Sequence, residues 1–99
     1  MDVIHAAVAG TLESCDVQVS IYPNEIRVLD IHLNSVVKAQ FGDSILSTVR
    51  EALDSFGIDR AVVNVIDRGA LDWVIRSRTQ AACCRATGRV FDWGKEDNE

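Results

Sequence analysis

The chain has 99 residues, 47% of them apolar and 25% charged, which is one ordinary domain able to bury a core without disulfide staples. No apolar run approaches the ~20 residues a membrane span needs, and the start, Met1-Asp2-Val3-Ile4-His5, lacks the basic flank and long apolar stretch of a secretory leader. A net charge of −5 argues against free nucleic acid as a partner, and three cysteines, two of them adjacent (Cys83-Cys84), point to free thiols in a reducing, cytoplasmic compartment.

The first fifteen residues are small and mildly polar and show no clear period. From Val17 the pattern alternates: Val17, Val19 and Ile21 are apolar and Gln18 and Ser20 polar, the signature of a strand buried on one side. Tyr22-Pro23-Asn24-Glu25 reads as a turn, followed by a second strand through Ile26, Val28, Leu29, Ile31 and Leu33. The two strands are expected to pair as a β-hairpin. A phase slip between Val28 and Leu29 predicts a bulge.

Asn34 and Ser35 offer N-cap oxygens for a helix whose apolar stripe is Phe41, Ile45, Val49, Ala52, Leu53 and Phe56, with Gly57 as its C-cap. Ala61–Ile66 predicts a third strand, and Asp67-Arg68-Gly69 a turn. Leu71, Val74, Ile75, Arg78, Ala82 and Arg85 trace a second helix that stops near Gly88. Residues 90–99 are expected to be a loosely held tail. The order β-β-α-β-α implies an α+β fold, a two-layer sandwich with two helices on one face of a small sheet, within a single domain spanning 1–99.

Charge is unevenly spread. Residues 68–89 carry Arg68, Arg76, Arg78, Arg85 and Arg89 against Asp72 alone, net +4, whereas residues 1–67 carry net −6. This segment reads either as a solvated helix face or as a docking face for phosphates or an acidic partner.

Self-contained enzymatic motifs are missing. There is no nucleophile elbow, P-loop or dinucleotide fingerprint, and His5 and His32 stand at no metal-ligand spacing with cysteine. Two serines come into question as attachment points for a cofactor. Ser44, in Gly42-Asp43-Ser44-Ile45, resembles the phosphopantetheine serine of fatty-acid carriers, but those are all-helical, and Ser44 falls inside a helix pattern as a surface residue. Ser14 sits before the first strand, after a glycine and among small residues, where an attaching enzyme can reach its hydroxyl; read from the residues alone, a turn serine capping local backbone is the favoured reading.

The run Ala7-Val8-Ala9-Gly10-Thr11-Leu12-Glu13-Ser14-Cys15-Asp16 resembles the N-terminal signature of citrate lyase acyl carrier protein, the gamma subunit. The likeness continues through Asp30-Ile31-His32-Leu33-Asn34-Ser35, Gln40-Phe41-Gly42, Asp67-Arg68-Gly69-Ala70-Leu71-Asp72 and Val74–Arg78, in order, across roughly residues 6–88. The acyl carrier of malonate decarboxylase is a more distant relative. The chain departs from the family at Cys15, where glycine or another small residue is usual.

The resemblance implies a non-catalytic carrier whose Ser14 bears 2'-(5''-phosphoribosyl)-3'-dephospho-CoA through a phosphodiester. The arm's thiol would hold acetyl and citryl thioesters while citrate is cleaved to oxaloacetate and acetate. The implied partners are the alpha (acyl transferase) and beta (citryl lyase) subunits and a prosthetic-group transferase, with neither nucleic acid nor membrane, and the arginine-rich segment is expected to steady the anionic arm or a partner subunit. Two other readings make different predictions: a malonate decarboxylase-type carrier, and a non-carrier α+β interaction module that acquires no adduct.

Overall fold

The computed structural model describes residues 2–88. Six elements follow in order: β1 (Ala7–Gly10), β2 (Val17–Tyr22), β3 (Leu29–Ser35), α1 (Lys38–Ser55), β4 (Ala61–Asp67) and α2 (Asp72–Thr87). The expected α+β class holds and both helices form, α1 starting later than its expected caps. The four-residue β1 is an addition, too short and too rich in small residues to register as a period.

The strands lie in the order β1-β2-β4-β3. β2 is antiparallel to both β1 and β4, and β3 is parallel to β4. The expected hairpin of β2 with β3 is therefore not formed: β4 lies between them, and the hairpin partner of β2 is β1. Alternation decides which face a strand buries but says nothing of its neighbour, so the sequence pattern was equally compatible with both pairings. The parallel β3–β4 pair requires a crossover, and α1 supplies it.

Registry aligns the inward rows. Ala9, Val19, Val65 and Leu33 are successive neighbours across the sheet, as are Ala7, Ile21, Val63 and Ile31. Val17, Val19, Ile21, Val63 and Val65 are all fully buried. The opposite face, through Ser20, Asn64 and His32, stays partly open, as the single-sided alternation of β2 implied. Both helices pack on the covered face, α2 over β1 and β2 and α1 over β3.

The predicted bulge is absent. Ile26 and Val28 precede β3 in an exposed loop where Ile26 N donates to Asn24 Oδ1 and Asn24 Nδ2 to Val28 O, so the phase break is the boundary between loop and strand. Of the α1 stripe, Ile45, Val49, Ala52, Leu53 and Phe56 are buried, but Phe41 is exposed. The helix starts after Val37 without a side-chain cap. Asn34 and Ser35, expected to cap it, are the last residues of β3. Its end is as expected: Gly57 at φ +65 donates to Asp54 O and Ile58 N to Leu53 O, the paired bonds that close a helix through a left-handed residue. α2 also ends at a glycine in the left-handed region, Gly88 at φ +71. Of its expected stripe Ile75 and Ala82 are buried, but Leu71 and Arg85 are exposed, and Thr79, Cys83 and Ala86 are buried instead. The expected tail at 90–99 lies outside the described residues.

Candidate functional site

The β1–β2 connection, Thr11–Asp16, carries Ser14 at an exposed position. Gly10 begins it at φ +89, where an added Cβ would lie 1.8 Å from Val17 O; only glycine lets the two strands close so tightly. Cys15 takes φ +66, the left-handed region that favours glycine. This is the position where the resemblance leads us to expect glycine or another small residue, and a positive φ is a physical reason for such an expectation.

Thr11 organises the turn, its Oγ1 accepting from Glu13 N and donating to Asp16 Oδ2. The side-chain cap of this loop is thus Thr11, and the Ser14 hydroxyl is left with Cys15 Sγ at 3.8 Å. The loop is fixed at its end. Cys15 N donates to Arg68 O and Arg68 N to Asp16 O, extending the β2–β4 ladder beyond Val17 and Asp67. Arg78 reaches from α2 to grip both oxygens of Asp16, with Nε at 3.1 Å from Oδ1 and Nη2 at 3.0 Å from Oδ2. The Thr11 hydroxyl, the Arg78 hydrogen bonds and charge, and Val17 N together outweigh desolvation and pull the Asp16 carboxyl down from 3.8 to about 2.

Beside this loop, Asp67 joins the ends of β3 and β4 to the turn before α2. Buried at the edge of the core, it accepts from Ser35 Oγ at 2.8 Å and from Ala70 N at 2.9 Å, while Ser35 Oγ accepts in turn from Val37 N. The Ser14 loop, the start of α1 and the turn 68–71 therefore gather at one end of the sheet.

Sequence reasoning singled out Ser14 but missed Thr11, Asp16, Arg78 and Asp67 as its supports. Only the Thr11–Asp16 spacing was local enough to be seen; Arg78 and Asp16 stand 62 positions apart. Part of the arginine-rich segment is engaged within the fold, while Arg68 stays exposed. Arg76 pairs with Glu51 at 2.9 Å, Arg78 with Asp16, and Arg85 donates to Val8 O. Arg89 lies outside the described residues. Ser44 is exposed on α1, as a surface serine should be, and lines a groove with Phe41 and Leu71. His32 meets Asp30 at 3.1 Å in the open, and among the described residues no group of His, Cys, Asp and Glu could hold a metal. No described helix is long and apolar enough to cross a membrane.

Ser14 thus stands exposed on a short, braced turn, its hydroxyl beside the Cys15 thiol and open to approach by another molecule. The family model described as malonate decarboxylase delta subunit (MdcD) matches residues 4–86. Citrate lyase acyl carrier protein of Haemophilus influenzae (strain PittGG) is 50% identical over 93 residues, covering 94% of this chain and 96% of the relative. The protein of the same description from Clostridium perfringens is 43% identical over 95 residues, 95% and 94% of the two chains. Citrate lyase acyl carrier protein 2 of Salmonella typhimurium is 48% identical over 86 residues, 87% and 89% of the two chains. Among solved structures, a chain of a Pseudomonas malonate decarboxylase hetero-tetramer in complex with malonate superposes with a TM-score of 0.62 at 16% identity, covering 87% of this chain and 88% of that one, which is a likeness of fold. With identities of this size over nearly the whole chain, the protein belongs to the citrate lyase acyl carrier protein family.

Proposed function

We propose that this chain is the acyl carrier of a cytoplasmic citrate lyase complex and that Ser14 bears 2'-(5''-phosphoribosyl)-3'-dephospho-CoA through a phosphodiester. The observation that supports this most directly is the state of the Ser14 hydroxyl: exposed, at the head of a hairpin turn that Thr11 and Asp16 hold in shape without it. The partners on this reading are the alpha and beta subunits and a prosthetic-group transferase. When bound, the group would supply a thiol on which acyl groups travel as thioesters.

The chain's own residues bind and present. Thr11, Asp16 and Arg78 fix the turn, so the serine is offered in one geometry to the transferase. The two-layer body is a rigid post around which a tether can move, and tethering raises the local concentration of its cargo at two partner sites, to the ~mM range for short flexible links. No side chain of the carrier is assigned a catalytic role.

A malonate decarboxylase-type carrier is the second reading, since the matching family model bears that description. The relatives at 43–50% identity favour citrate lyase. Intact mass after co-expression with citrate-lyase-type modifying enzymes tests the assignment. The expected result is one adduct of the arm's mass, mapped to the peptide containing Ser14 and abolished by Ser14→Ala. An unmodified chain, or an adduct on Ser44, would remove the proposal.

A further inference from the structure

Resting on that reading of Ser14, we propose that the groove between the first turns of α1 and the Gly69–Asp72 turn binds the adenosine portion of the arm. The groove has a volume of about 430 Å³, within the ~300–1,000 Å³ usual for small-molecule sites. Its walls are Val37, Phe41, Ile45, Ala70 and Leu71. Two of these are large apolar side chains left in water: Phe41 is 57% and Leu71 65% exposed, and neighbouring Trp73 is 67% exposed. A stripe built to pack in the core would not leave Phe41 outside while Ile45, one turn on, is 3% exposed.

Location and charge select the occupant. Cys15, next to the attachment serine, bonds through its amide to Arg68 O, and the groove wall begins at the very next residue, Gly69. In the proposed arm only a phosphate and one ribose separate the serine from adenosine, so the base is the part that reaches this wall first. Arg68 is exposed and, among the described residues, has no ion-pair partner, which leaves its guanidinium for the phosphodiester. Beyond the cation the groove turns apolar, with one aromatic ring for stacking a purine. The Ser44 hydroxyl and Asp72 carboxylate stand in its lining as partners for the exocyclic amine. Arg68, next to Gly69 in the chain, is thus available to the phosphate, Phe41 to the purine face, and Ser44 and Asp72 to its exocyclic amine. Seating the base there leaves the pantetheine half and its thiol free to travel.

The test uses the full chain carrying the arm, its loading verified by intact mass, and reads proton NOEs from adenine H2 and H8. The expected result is contact with the Phe41 ring and the Leu71 methyls, lost in Phe41→Ala and Leu71→Ser and weakened in Arg68→Glu. Because Phe41 and Leu71 are mostly exposed, neither variant should lower the parent's urea midpoint, and Leu71→Ser, at the N-cap of α2, should raise it. A loaded chain whose adenine protons touch no groove residue overturns the proposal while leaving the Ser14 assignment standing. NOEs that persist unchanged in both apolar variants also overturn it. Loss of partner-subunit binding in those variants, with the adenine free throughout, would make the groove a protein interface and overturn it too. A chain that gains no mass removes both readings together.

Discussion

Arg78, on α2, holds Asp16, the last residue of the β1–β2 loop, by two side-chain hydrogen bonds of 3.1 and 3.0 Å. This pair ties the turn that presents Ser14 to the helical layer, so its loss should act on the loop before it acts on the core. Asp16→Asn and Arg78→Met are each expected to cost about 1–2 kcal/mol in urea unfolding, the partial exposure of Arg78 keeping the effect below that of a buried pair. Each should also slow loading of Ser14. Unchanged stability and loading rate in both variants would show that the loop needs no such anchor.

The same carboxylate gives a pH dependence. Asp16 is held down from 3.8 to about 2, so the folded state favours its charged form. The stabilisation is fully present above pH 4 or so, and fades as pH falls through about 2. Stability measured over that window should therefore drop more steeply in the parent chain than in Asp16→Asn. Equal slopes would contradict the assignment.

Cys15→Gly should stabilise the protein. A side chain at φ +66 costs about 1–2 kcal/mol that glycine does not, so the rise in Tm is at most ~4–8 °C, the shift of a net ~1 kcal/mol in a domain of this size. Part of the gain is offset by the greater freedom of glycine in the unfolded chain. A lower Tm in the glycine variant would mean that the Cys15 thiol contributes more than its backbone costs.

Asp67→Ala removes the acceptor shared by Ser35 Oγ and Ala70 N in a buried position. Two donors left unsatisfied should cost about 3 kcal/mol, and the turn before α2 should lose amide-exchange protection at Ala70. A stability change below 1 kcal/mol or so would show that water takes over both bonds.

The three thiols should separate by reactivity. Cys15 is exposed, whereas Cys83 is buried, and that burial, reinforced by the neighbouring Cys84, pushes its thiol up to about 12. At mildly alkaline pH, iodoacetamide should label Cys15 first and Cys83 only after unfolding. Labelling of Cys83 in the native protein at the Cys15 rate would contradict the packing of α2.

The amino-acid sequence by itself determined the period of β2, the presence of β4, and both helices with their glycine ends, because each is a local pattern spread over a few residues. Only the tertiary structure decided that β4 separates β2 from β3, that β1 completes the hairpin, and that Phe41 faces outward from a helix stripe that otherwise faces in. The same holds for the clamp of Arg78 on Asp16 and the junction at Asp67, whose partners come from distant parts of the chain. The physical reason is common to all of them. Side-chain alternation specifies a face, while strand neighbours and ion pairs depend on which surfaces meet after the chain has turned back on itself.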